Sequence, residues 1–157
     1  MSDLFLTTVL TFDASVRVCV PLIFASMAGL FAERSGVVDI GLEGKLLMSA
    51  FIAASAASVF GSPWLGLIAG MFASSVLAMI HGFASITYKG NQIVSGVAIN
   101  ILASGLTMIL TLAWFKSGGI TPTLQGNERF LSITLPGVDI IDHIPILGVI
   151  YRELISG

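Results

Sequence analysis

Residues 46–88 read LLMSAFIAASAASVFGSPWLGLIAGMFASSVLAMIHGFASITY, with no Asp, Glu, Lys or Arg anywhere in the run. A helix needs about 20 mainly apolar residues to cross a bilayer core. The run is too long for one crossing and about right for two. Gly61-Ser62-Pro63 falls near its middle and supplies the break, because glycine and proline punctuate helices. Trp64 follows at the expected membrane interface, where indole rings sit well. Two spans are therefore expected, about Leu46–Phe60 and Trp64–Tyr88. The first is short unless it reaches back toward Ile40.

Working outward, residues 18–32 also lack charge and, with their flanks, give a first span over about Ala14–Phe31. Pro21 then lies near the start of that helix, where a missing N–H does least harm. Asp13 and Arg17 are four apart, share a face and can pair. Glu33 and Arg34 close the span as further structural polar or ion-pair residues. On the other side, residues 90–115 are uncharged and give a fourth span, about Ile93–Phe115, with Trp114 near its end.

Composition agrees with this reading. Of the 157 residues, 55% are hydrophobic and only 10% charged, against about a quarter charged in soluble domains. So few charges cannot coat a water-exposed surface, and a short chain keeps much of its surface exposed. The fold class expected is an all-α membrane protein of about four transmembrane helices, with a glycine-rich polar break between the first two and a long external loop at the end. The bundle is expected over 1–115. The 116–157 stretch is read as an external loop with a short interfacial piece at Ile144–Ile155.

The net charge of −2 is uninformative, and no basic run or aromatic-basic interleaving suggests nucleic acid. The single cysteine, Cys19, allows no intramolecular disulfide and is expected to be a small packed hydrophobe. His81 and His143 have no metal-ligand spacing around them, and no phosphate-binding glycine loop occurs. No metal, cofactor or catalytic constellation is implied, and an enzyme is not expected. With the N-terminus outside, Arg34, Lys45 and Lys89 fall in inner loops, which favours that orientation.

Small residues recur where helices would meet. Ala50, Ala53, Ala54, Ala57 and Ser58 cluster on the second span, and Gly66, Gly70 and Ser74 repeat every four on the third. In lipid, helices associate by close backbone approach, which such residues allow.

The densest polar stretch is Glu33–Lys45, with five charges and three glycines. One reading is a broken-helix segment lining a polar cavity, since irregular backbone at membrane depth survives only against protein or water. The other is an ordinary solvated loop. Val37, Val38, Ile40 and Leu42, interleaved with the charges, argue for partial burial. Asp39 and Glu43 are its pathway candidates, each alternatively paired with Arg34 or Lys45. Lys89-Gly90-Asn91-Gln92 reads either as a tight turn with Asn91 capping the next helix or as the inner end of a pathway. Asn100, two turns further on, is an amide that must be hydrogen-bonded within the bilayer. His81 reads as a structural hydrogen-bonding group or, with Asp39, as a proton relay.

The run from Pro21 to Gly44, PLIFASMAGLFAERSGVVDIGLEG, closely resembles permease subunits of bacterial ABC importers of the simple-sugar and nucleoside (branched-chain amino acid/ribose-type) permease family. A second motif, from His81-Gly82 through Asn91-Gln92-Ile93-Val94-Ser95-Gly96-Val97-Ala98-Ile99-Asn100, fits the same family, and the resemblance covers about residues 14–150. It implies a multi-pass protein of the bacterial plasma (inner) membrane that forms part of a translocation pathway. It also implies a second permease subunit, cytoplasmic ATPase subunits and an external substrate-binding protein as partners. Asp39, Glu43, Asn91, Gln92 and Asn100 would lie near the path. Family members are roughly twice as long, so the chain is expected to correspond to the N-terminal half. The polar segment would then be left unsatisfied without a second half. Two other functions fit the residues: a non-transporting membrane remnant or scaffold, and a small proton-linked carrier.

Overall fold

The computed structural model describes residues 2–130. The expected interfacial piece at Ile144–Ile155 lies outside the described residues. Four long α-helices occur in order: α1 (Ser2–Arg34), α2 (Leu42–Phe60), α3 (Pro63–Gly82) and α4 (Gln92–Phe115). All four are long and apolar enough to cross a membrane. Between α3 and α4 lies a π-helical turn, Phe83–Thr87, and a 3-10 turn, Gly126–Glu128, follows α4. The described residues contain no strand.

The chain divides into two compact units, and α1 contributes to both. One contains α1 as far as Phe24; the other is Ala25–Phe130. α1 begins twelve residues before the expected Ala14 start, so Pro21 sits in the helix interior and not near its beginning. The reading failed there because Asp13 and Arg17 were taken as a border. Charges four apart lie on one helical face and do not interrupt the backbone. Thr8, Thr11 and Ser15 donate their hydroxyls to the carbonyls of Leu4, Thr7 and Thr11, one turn back, which satisfies them within the helix. The Asp13 side chain lies outside the described part; Arg17 is engaged in an interaction. Cys19 is exposed, not packed.

In the second unit, α2 and α3 form an antiparallel hairpin across Gly61-Ser62. Gly61 adopts a left-handed conformation (φ 63°) that ends α2, and Pro63 opens α3. The two helices lie so close that a Cβ on Gly66 would be 2.6 Å from Ala53 O, and one on Gly70 would be 2.8 Å from Ser49 O. The small-residue stripes read from the sequence thus meet at this contact, where dispersion between touching backbones holds the helices together. α4 also packs against α2, and Met48, Phe51, Leu77, Ile99 and Ala103 make a small common core.

The burial pattern is inverted relative to a water-soluble protein. The buried set includes Lys45, Ser55, His81, Ser85, Thr107 and Thr111, whereas Phe72, Met79, Ile101 and Ile109 face outward. Lipid accepts the apolar exterior, and the polar groups retreat to where protein can bond them.

Candidate functional site

α1 ends at Arg34 and α2 starts at Leu42, leaving Ser35–Gly41 as a non-helical connector. Gly36, at φ 85°, takes a conformation that L-residues other than glycine seldom adopt. Gly36 N–H bonds Glu33 O and Val37 N–H bonds Ala32 O, which closes the end of α1. The connector is then laid against the first two turns of α4.

Two side chains of α4 hold it there, and Asp39 braces it from within. Gln92 Oε1 accepts from Val38 N–H at 2.7 Å. Asn100 Nδ2 donates to Ile40 O at 3.1 Å, while its Oδ1 accepts from Gly44 N–H at 2.8 Å. Asp39 Oδ1 accepts from Gly41 N–H at 3.1 Å, and its Oδ2 pairs with the Lys45 ammonium. Asn100 does here what an N-cap side chain ordinarily does. The N-cap residue of α2 is Gly41, which has no side chain to accept from the first-turn amides. Asn100, on another helix, supplies that oxygen to Gly44.

Glycine makes the approach possible. A Cβ on Gly44 would stand 2.8 Å from Asn100 Cα and 2.9 Å from Ile99 O. One on Gly96 would stand 2.9 Å from Gly41 N. Gly41, Gly44 and Gly96 are all buried. The two backbones interlock at three glycines, and the amide bonds follow from that proximity.

A histidine completes the cluster. His81 is buried near the end of α3. Its Nδ1 shares a hydrogen bond of 3.0 Å with Ser95 Oγ of α4. Its Nε2 has no hydrogen-bond partner and lies 3.8 Å from Asp39 Oδ1. Asp39 thus gathers Lys45, the Gly41 amide and His81 around one carboxylate.

The structure places the expected residues unequally. Gln92 and Asn100 reach the connector that carries Asp39 from more than fifty residues further along the chain. Asn91 accepts from Ile93 N–H and Val94 N–H at 3.0 and 3.2 Å, so its oxygen is committed to capping α4. Glu43 is exposed and forms no ion pair among the described residues. Glu33 and Arg34 are likewise exposed and unpaired with each other among the described residues, since adjacent helical residues do not face one another. Of the four apolar residues expected to be partly buried, Val37 and Leu42 are half-buried, but Val38 and Ile40 are exposed. Full burial falls instead on Gly41, Gly44 and Lys45, with Asp39 half-buried. Within the described residues the Val38, Gly41 and Gly44 amides, the Ile40 carbonyl and the Asp39 and Lys45 side chains have partners, whereas the Glu33, Arg34 and Glu43 side chains are exposed.

The structure bears out the alternative in which Asp39 pairs with Lys45, while sequence reasoning passed over Ser95 and Gly96. Lys45 was read only as an inner-loop charge or a possible ion-pair partner. The spacing of Gly41, Gly44 and Gly96 was a signal for close packing, but nothing local joined the first two to the third.

A family model described as the branched-chain amino acid transport system / permease component matches residues 11–137. The chain belongs to this family. It is 38% identical over 144 residues to the guanosine ABC transporter permease protein NupQ of Bacillus subtilis, covering 88% of this chain and 43% of that protein. It is 33% identical over 137 residues to the nucleoside ABC transporter permease protein NupC of Lactococcus lactis, covering 83% of this chain and 41% of that protein. A relative from Haloferax volcanii whose name gives glucose as its solute is 34% identical over 137 residues, covering 87% of this chain and 39% of that protein. The chain thus spans about two fifths of the length of these curated relatives. No solved structure gives a significant match. Family membership and four membrane-spanning helices make this permease-family chain a multi-pass protein of the plasma membrane.

Proposed function

We propose that the chain forms part of the translocation pathway of an ABC importer for nucleosides or simple sugars, and that it carries solute without acting as an enzyme. The observation that carries this is the interlocked connector. A glycine-rich, non-helical segment bearing Asp39 is held against α4 by Gln92 and Asn100, inside a family of transport permeases. Irregular backbone of this kind is stable in a membrane protein where protein satisfies it, and it gives a helical bundle a polar surface. Asp39, Gln92 and Asn100 set the shape of that surface and act mainly on the backbone. Glu43, exposed beside them, is the residue of the group most open to solute. Asn91 acts by starting α4.

The partners follow from the importer architecture: a second permease subunit, a pair of cytoplasmic ATPases and an external substrate-binding protein. The named relatives include proteins for guanosine, for nucleosides and for glucose, so guanosine is the first solute to test. Cells lacking their own nucleoside uptake, given the full permease with its partners, should accumulate labelled guanosine. Uptake should stop when the ATPase is inactivated and persist when the proton gradient is collapsed. Accumulation that ignores the ATPase and follows the gradient would overturn the proposal. It would instead support a proton-linked carrier working through His81 and Asp39.

A further inference from the structure

His81 is buried beside the connector, yet one of its ring nitrogens bonds nothing. Nε2 has no hydrogen-bond partner and lies 3.8 Å from Asp39 Oδ1, about 1 Å beyond an ordinary N–H···O bond. The carboxylate can only accept, so the nitrogen that faces it carries the ring hydrogen. The Ser95 hydroxyl, 3.0 Å from Nδ1, then donates to the ring.

This arrangement is built to take a second proton. A serine hydroxyl donates or accepts by turning about its C–O bond. Ser95 is half-buried and lies in the first turn of α4. Its hydroxyl can pass its hydrogen to Nδ1, regain one from solvent, and then accept from the new Nδ1–H. The ring would then face Asp39 as a cation. While Lys45 sits on Oδ2, however, the charge of Asp39 is already matched, and a second buried cation would lack a partner. The ring is therefore neutral as long as that pair holds.

Among the described residues no other charge competes for the ring. α3 packs against α2, the π-helical turn and α4. α2 brings Lys45 and the exposed Glu43, the connector brings Asp39, and neither the turn nor α4 contains a titratable side chain. Tyr88 and Lys89, which follow the turn, are exposed.

We propose that His81 is the reserve counter-ion of Asp39: when Lys45 withdraws, the imidazole takes a proton through Ser95 and replaces it. Asp39 then has two alternative cations on two helices, Lys45 of α2 and His81 of α3. α2 can move relative to the connector without stranding a carboxylate inside the protein, which is costly. The proton enters and leaves by the same hydroxyl, so none crosses the membrane. The inference concerns the connector and holds whichever solute is imported.

The test uses the full permease assembled with its partners and extracted in detergent. It reads hydrogen exchange of the Gly41 amide, which donates to Asp39 Oδ1 at 3.1 Å. In Lys45→Met the closed connector keeps a proton on His81 that an open one releases above about pH 6.5. Protection is then greatest in acid and falls as pH rises. Corrected for the intrinsic exchange rate, it should be about tenfold higher at about pH 5.5 than at about pH 8. Adding His81→Gln should abolish that dependence. His81→Gln alone should protect Gly41 as wild type does, because Lys45 still holds Asp39. A flat profile in Lys45→Met overturns the inference. So does an equal response with and without His81→Gln, which would mean that Asp39 takes the proton itself. Lost protection in His81→Gln with Lys45 present would make the ring a packing group and overturn it too. Lys45→Gln, which keeps a donor for Oδ2, is read in the same way if Lys45→Met does not fold. Failure to recover either one folded at about pH 5.5 would show that no reserve charge exists.

Discussion

Replacing Asn100 by alanine removes two bonds at once, and the structure says where the loss will appear. Oδ1 caps Gly44 N–H at 2.8 Å and Nδ2 holds Ile40 O at 3.1 Å. Loss of an N-cap costs about 1 kcal/mol, and loss of a typical neutral hydrogen bond costs about 1 more. Side-chain bonds between membrane helices average about 0.6 kcal/mol each, which sets a floor of about 1.2 for the pair. The expectation is therefore about 2 kcal/mol, concentrated at the start of α2. Hydrogen exchange on the full permease in detergent reads it locally, because opening free energies differ along a chain. At 1.4 kcal/mol per decade, Gly44 amide exchange should quicken about 30-fold in Asn100→Ala. Amides in the middle of α3 should be unchanged. Gln92→Ala is the matched control: it frees Val38 N–H and should leave Gly44 protected. A Gly44 rate within about threefold of wild type in Asn100→Ala would show that this cap across helices contributes nothing, and the account of the connector would fail with it.

Two further perturbations separate packing from charge. Gly44→Ala and Gly96→Ala place a Cβ within 3 Å of backbone atoms, so the two elements must move apart. Each should cost on the order of 2 kcal/mol in detergent unfolding. Gly105→Ala, with nothing within 4 Å of the new carbon, should be neutral or stabilising by up to about 1 kcal/mol. Lys45→Met leaves the Asp39 carboxylate buried without its cation and should cost about 3–5 kcal/mol, seen as lost folded yield. Adding Asp39→Asn should restore most of that yield, and no recovery in the double variant would mean the pair is not what stabilises the connector.

Much of the fold was legible because its signals are local. Hydropathy over a window of helix length and the Gly61-Ser62-Pro63 break placed α4 and the α2–α3 turn within a residue or two, whereas the span expected to end at Tyr88 runs beyond α3 through the π-helical turn. The early start of α1 was not legible from charge gaps. Asp is a residue type that can cap a helix, yet α1 runs unbroken through Asp13 and Arg17. The switch from α to π winding at Phe83–Thr87 was equally hidden, since FASIT carries no residue that demands it.

The residues of the candidate site were visible as polar groups in apolar surroundings, and the motifs around Pro21–Gly44 and His81–Asn100 identified their family. Their roles were not visible. Asn91 and Gln92 are neighbours, yet one caps its own helix and the other holds Val38 from across the bundle. Asp39 and Glu43 are both acidic and four apart, yet one is half-buried against Lys45 and the other is exposed.

The amino-acid sequence alone was enough to establish a helical membrane protein with four spans, because length and hydropathy act over a single helix. Which polar groups meet was settled by how α2 and α4 approach each other. Only when Gly41 and Gly44 lie against Gly96 does Asn100 come within bonding distance of Ile40 and Gly44. A hydrogen bond acts over about 3 Å, whereas those residues are more than fifty positions apart along the chain.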